Sequence, residues 1–158
     1  MLSLVEDHNL AMKYCKDDPV RPHIPHAWRI DENREMWLLY EDQYAEHAEP
    51  LIHTPLACIC VAYCEAIPAS ETSMYILAET DNPSVAVFYT VWSYHTGAGR
   101  QIINDVQRHI HERKSDHIKQ YVTLSPLTRM AERFHTRNGA KFLAKHEDCQ
   151  NFEYPLPK

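Results

Sequence analysis

Glycine is nearly missing from this chain, with three in 158 residues: Gly97, Gly99 and Gly139. Average usage near ~7% gives about 11 in a chain of this length. The shortage excludes collagen-like, glycine-linker and low-complexity readings, and it marks the places where glycine is used as constrained backbone. Long hydrophobic runs are missing too. The longest, Pro55 to Tyr63, falls far short of the ~20 residues that cross a membrane. The opening MLSLVEDHNL has no basic flank and no apolar signal core, so a soluble cytoplasmic domain is expected. There is no CxxC pair, no HExxH and no Cys/His ladder. Cys15, Cys58, Cys60, Cys64 and Cys149 read as buried small hydrophobes, the close pairs His23/His26 and His109/His111 as solvated, and no metal is expected.

Apolar residues at 44% and charged residues at 24% are ordinary for a globular protein, and the length points to one domain with a sizeable core. The net charge of −6 is unevenly spread. Residues 1–84 carry five basic against fifteen acidic side chains, and residues 85–158 carry eleven against seven. The acidic total argues against nucleic acid as a partner, while the C-terminal half suits a compact anion.

Hydrophobic periodicity predicts a helix over Leu4–Lys16, then an extended stretch with Pro19, Pro22 and Pro25. A second helix is expected over Asp31–His47, capped by Asp31 and buried through Met36, Leu39, Tyr40 and Tyr44. Strands are expected at 56–63, 74–79 and Val85–Tyr94, the last dense in β-branched and aromatic residues. A helix follows over Arg100–Lys114, with Ile102, Ile103, Val106 and Ile110 on one face. Lys119–Leu124 reads as a strand. Pro126–Asn138 reads as a helix with Leu127, Met130, Ala131 and Phe134 inward, stopped at Asn138-Gly139. Two strands, at 140–146 and 149–156, close the chain. The expected architecture is a mixed α/β sheet flanked by helices, with residues 1–50 a helical segment and 51–158 the core.

Two constellations carry chemistry. The first is Tyr94-His95-Thr96-Gly97-Ala98-Gly99-Arg100-Gln101, where a strong strand meets a helix. A helix N-terminus offers free N–H groups and a positive dipole, which suit a phosphate, and the glycines let backbone approach it. A plain strand-to-helix turn is the alternative. The second runs from Thr123-Leu124-Ser125-Pro126 to Phe134-His135-Thr136-Arg137-Asn138-Gly139-Ala140. Ser125-Pro126 also reads simply as a helix start, His135 as a residue of a solvated helix face, and Tyr154 as a strand core residue.

The first loop resembles the coenzyme A loop of GNAT acetyltransferases, Q/R-x-x-G-x-G/A, with Tyr94 in place of Gln or Arg. The second constellation, with Ala86-Val87-Phe88-Tyr89, the upstream stretches Glu49-Pro50-Leu51 and Pro68-Ala69-Ser70, and Asn151-Phe152-Glu153-Tyr154, resembles the catalytic domain of malonyl-CoA decarboxylase, itself GNAT-fold. The similarity covers roughly residues 50–156. In this chain eight residues separate Pro126 from His135, where that family carries a long insertion. The resemblance implies a GNAT-like fold and a coenzyme A thioester, malonyl-CoA or acetyl-CoA, as substrate. It matches Ser125 and His135 to the family's catalytic serine and histidine and Tyr154 to its site tyrosine, with residues 95–101 holding the pyrophosphate. Decarboxylation leaves an enolate, so such a site must stabilise an oxyanion and deliver a proton to carbon. The alternatives are an amine N-acetyltransferase and a non-catalytic acyl-CoA-binding module. The C-terminal strands suit pairing across a homodimer.

Overall fold

A computed structural model describes residues 1–41 and 54–158. The chain begins with β1 (Leu2–Leu4), α1 (His8–Cys15), α2 (His26–Arg29), β2 (Arg34–Leu39) and β3 (Ala57–Cys64). It continues through α3 (Glu71–Leu77), β4 (Val85–Ser93), α4 (Ala98–Lys114), β5 (Gln120–Thr123), β6 (Ser125–Pro126), α5 (Arg129–Arg137), β7 (Lys141–Lys145) and β8 (Cys149–Tyr154). One sheet joins all eight strands in the order β1-β2-β3-β4-β5-β8-β6, with β7 pairing β8. Every pairing is antiparallel except β4 with β5, which are parallel and joined through α4. A parallel neighbour requires such a crossover.

Helices cover both faces, and the strand sequences reflect it. Along β3, Cys58, Cys60, Ala62 and Cys64 join the core under α1 to α3, while Ala57, Ile59, Val61 and Tyr63 join the core under α4. A strand buried on both faces reads as a continuous apolar run. All five cysteines are free and buried, as their composition predicts. On α4, Ile102, Ile103, Val106 and Ile110 are fully buried as expected, each worth about 1.5–3 kcal/mol.

Several sequence expectations fail locally. The first helix is shorter than predicted: Asp7 caps α1 by accepting from the amides of Asn9 and Leu10 (2.6 and 3.1 Å), and Leu2–Leu4 is a strand. The expected helix at Asp31–His47 is the strand β2 where it is described, and Tyr44 and His47 lie outside the described residues, as do Glu49, Pro50 and Leu51. Asp31 stands in a tight turn with Asn33 at φ 62°, not at a helix cap. Residues 1–41 therefore hold two strands as well as two helices. The expected strand at 74–79 falls largely in α3. Ser70 caps this helix by accepting from the amide of Ser73, whose hydroxyl answers the amide of Ser70. That reciprocal cap outweighs the β-leaning composition of MYIL. Half-burial replaces solvation for His109, edge-on to Trp37, and for His111 near Tyr121.

Candidate active site

The parallel pairing of β4 and β5 runs from Val85↔Gln120 to Phe88↔Thr123, where β5 ends. On the other side of β4 the register with β3 shifts: Thr90 faces Cys60 and Phe88 faces Val61, so Tyr89 is an extra, bulged residue. A bulge bends its strand and increases the local twist. β4 then runs on to Ser93 while the chain after Leu124 turns to pair with β8 through Ser125↔Gln150. The sheet opens between them into a cleft of about 200 Å³.

The walls of this cleft come from both faces of the sheet. Gly99 of α4 and Met130, Ala131, Phe134 and His135 of α5 line one side. Pro19, Val20 and Arg21, from the loop between α1 and α2, line the other. Met130 is 81% exposed and Leu127 40% exposed, which corrects their assignment to the core. Met130, Ala131 and Phe134 of α5 line the cleft, and Phe134 also packs against the core under α4.

Ser125 and His135 both line the cleft and are 3% and 7% exposed. Ser125 lies in β6 and caps no helix; the α5 cap is Thr128, which accepts from the amide of Ala131. Its Oγ donates to Thr123 Oγ1 at 2.7 Å, and the same Thr123 oxygen accepts from the amide of Phe152 at 3.0 Å. His135 is not on a solvated face. Its ring stacks on Phe152, and Nδ1 lies 2.8 Å from the hydroxyl of Tyr154. Burial pushes the imidazole pKa down to about 4 and raises that of the Tyr154 phenol, so both are neutral at pH 7. A phenol donates better than it accepts, which places its proton toward Nδ1 and leaves Nε2–H as the free imidazole donor. The serine and histidine thus share a cavity but hold separate partners, unlike a nucleophile with its base. Tyr154 touches His135 and does not line the cleft.

Gly97 precedes α4 with φ +82° and gives no side-chain cap. The amide of Ala98 donates to the His95 carbonyl and that of Gln101 to the Gly97 carbonyl, both at 3.2 Å. Within this first turn the amides of Gly99 and Arg100 have no intrahelical acceptor, and no acidic side chain stands there. A Cβ at Gly99 would lie 3.2 Å from the Phe134 ring, so a side chain there would make that ring shift. His95, Thr96, Arg100 and Gln101 are exposed around it, and Ala98 is buried. At the family's Gln/Arg position, Tyr94 donates to Asp17 at 2.6 Å and ties the loop to the end of α1. Gly139, at φ +98°, closes α5 as expected.

Arg21 was missed in the sequence, where it sits unmarked among prolines. Its loop is fixed by a buried ion pair, Asp18 with Arg29 at 2.8 Å, both side chains fully shielded. Burial alone would raise the Asp18 pKa, but hydrogen bonds from the Arg21 amide, Arg29, the Val20 amide and Thr90 hold it below the usual carboxylate range. Among the described residues, no group of three or more His, Cys, Asp or Glu side chains is placed to hold a metal, and no helix is long and apolar enough to cross a membrane.

No protein-family model and no curated protein matches the chain. Solved structures do. Malonyl-CoA decarboxylase from Rhodopseudomonas palustris superposes with a TM-score of 0.70 at 16% identity, over 99% of this chain and 56% of that one. The enzyme from Agrobacterium vitis gives 0.61 at 20% identity, over 85% and 35%, so this chain spans little more than half of one decarboxylase and about a third of the other. A Desulfovibrio desulfuricans protein assigned to the GNAT family of acetyltransferases gives 0.63 at 13% identity, over 99% of both chains. With its mixed sheet parted between parallel β4 and β5 and a helix N-terminus beside the gap, the chain has the GNAT fold.

Proposed function

We propose that the chain binds an acyl-CoA in the β4–β5 cleft and decarboxylates malonyl-CoA to acetyl-CoA and CO2. The observation that carries this reading is the meeting of Ser125 and His135, from different elements, on one cleft that also reaches the first turn of α4. The pyrophosphate would sit at the free amides of Gly99 and Arg100, with the Arg100 charge nearby. The pantetheine arm, an extended chain with amides, suits strand edges that have lost each other as partners.

Cleavage of the bond between the carboxylate and the α-carbon releases CO2 and leaves its electron pair as a thioester enolate. Ser125 orients the malonyl group. His135 offers Nε2–H to the enolate, and negative charge arriving beside a neutral imidazole raises its proton affinity. The proton passes to carbon from Nε2 as the Tyr154 phenol gives its own to Nδ1; a solvent proton taken up at Nε2 then sends the Nδ1 proton back to the phenolate and restores the pair. One proton is consumed per turnover, and no metal takes part.

Incubation with malonyl-CoA should yield equal amounts of CO2 and acetyl-CoA, with Ser125→Ala and His135→Gln at least about tenfold slower. Silence toward malonyl-CoA, with coenzyme A bound in calorimetry, would refute decarboxylation. A second reading, acetyl transfer to an amine, draws support from the whole-length overlap with the Desulfovibrio protein. Acetylation of an amine panel without CO2 release would select it. Binding without any turnover would leave a non-catalytic module, and no binding of coenzyme A would refute all three.

A further inference from the structure

The cleft passes from the α4–α5 face of the sheet to the loop between α1 and α2, and Arg21 stands on that second side. Its position is fixed by contacts to four residues, one in its own loop and one each in α2, α3 and β4. The backbone amide donates to Asp18 Oδ1 at 2.9 Å, and the backbone carbonyl accepts from Arg29 Nη2 at 2.7 Å. The side chain donates from Nε to Glu71 Oε1 at 3.0 Å and from Nη1 to the carbonyl of Tyr89, the bulged residue at which the cleft opens. Glu71 is in turn held by His23 Nε2 at 2.7 Å and the Tyr75 hydroxyl at 3.0 Å. Burial opposes its charge, but the hydrogen bonds from His23 and Tyr75 and the nearby Arg21 guanidinium lower its pKa, so it is ionised.

One arm of the guanidinium remains. Nη2 has no hydrogen-bond partner among the described residues and is not a fully buried atom, and Arg21 is one of the residues that line the cleft. An arginine this immobile has already lost its side-chain freedom, so an incoming acceptor meets a pre-ordered, permanently charged donor. The natural complement to a guanidinium N–H is a carboxylate.

The geometry points to Arg21 as the specificity residue that receives the free carboxylate of a dicarboxylic acyl group, its Nη2 donating to the end of the acyl chain remote from sulfur. This rests on the proposal that the cleft takes a coenzyme A thioester. The thioester enters beside α4, Ser125 and His135 line its path, and the acyl end reaches the α1–α2 side. The buried Asp18–Arg29 pair then does more than fill the core: it clamps both backbone groups of the residue that reads the acyl end.

The test uses two unreactive thioethers of matched length, S-(2-carboxyethyl)-CoA and S-propyl-CoA, titrated into the intact protein by calorimetry. The wild type should prefer the carboxylate by about tenfold or more, the scale of one charge-assisted hydrogen bond. In Arg21→Gln the preference should vanish while S-propyl-CoA binds within about twofold of wild type, which also reports a folded cleft. Arg21→Lys, keeping the charge on a different geometry, should restore part of it. No preference in the wild type, a preference that survives Arg21→Gln, or equal weakening of both thioethers would overturn the assignment. If neither thioether binds the wild type, the coenzyme A reading falls and this inference falls with it. Binding of S-propyl-CoA without a carboxylate preference refutes Arg21's role alone.

Discussion

Acidification tests the environment of His135 directly. In the folded protein its imidazole, stacked on Phe152 and bonded to Tyr154, has a pKa near 4, whereas an unfolded histidine titrates near ~6.5. Because the folded value is the lower one, the unfolded chain takes up this proton first as pH falls. The stability held by the neutral imidazole is therefore complete above about pH 6.5 and drains away as pH falls toward 4. Between about pH 7.5 and pH 4.5 the two titration curves part by about 2.5 kcal/mol. With the ring 7% exposed, solvent screening removes little of this. Urea unfolding at both pH values, on wild type and His135→Gln, isolates the effect. Other groups titrate alike in the two proteins, and the difference between their acid losses belongs to His135. The loss in the wild type should exceed that in His135→Gln by about 2 kcal/mol or more. Equal losses would mean that the imidazole is solvated or already paired with charge, and the neutral-donor role assigned to it would fail.

Asp18→Asn should destabilise the fold by about 3–5 kcal/mol in urea unfolding, because Arg29 then keeps its buried charge without a counter-ion; a loss below about 1 kcal/mol would contradict the pairing. Gly99→Val should weaken coenzyme A binding at least about tenfold by calorimetry, since its Cβ meets the Phe134 ring at 3.2 Å and forces that ring to move. The accompanying overpacking should cost about 1–3 kcal/mol, and normal binding would remove Gly99 from the site. Tyr154→Phe leaves His135 Nδ1 without its partner and should cost about 1–3 kcal/mol in thermal or urea unfolding. Malonyl-CoA turnover should fall with it, and full activity would exclude Tyr154 from the proton path.

The strands, helices and stops with strong local causes were legible along the chain. β3 and β4 announced themselves by unbroken apolar and β-branched runs, α4 by its isoleucine stripe, and the end of α5 by a glycine whose φ of +98° suits no other residue as well. β2 and α3 were not legible, because REMWLL satisfies a helical stripe as readily as a doubly buried strand, and MYIL carries strand composition while a Ser70–Ser73 cap fixes it as helix. The apolar stripe before Asn138 was read correctly at Phe134, which packs against the core, and wrongly at Leu127 and Met130, which are exposed. Periodicity reports which face a helix shows to an apolar environment, and a ligand cleft qualifies as well as packed protein.

Sequence by itself determined the buried free cysteines, the strand-to-helix glycine loop, and the serine and histidine that line one cleft, with the tyrosine bonded to that histidine. These depend on residue type and short-range order, which a linear reading carries. Tertiary structure alone decided that the cleft exists, that His135 is kept neutral, and that Arg21 reaches it. The opening arises from a bulge at Tyr89 set by pairing with β3 and from the departure of the chain after Leu124 toward β8. Arg21 is delivered there by an ion pair eleven residues apart in sequence, and by Glu71, fifty residues on. Such long-range contacts leave no local periodicity to read, because their energy is realised only when the sheet brings the partners together.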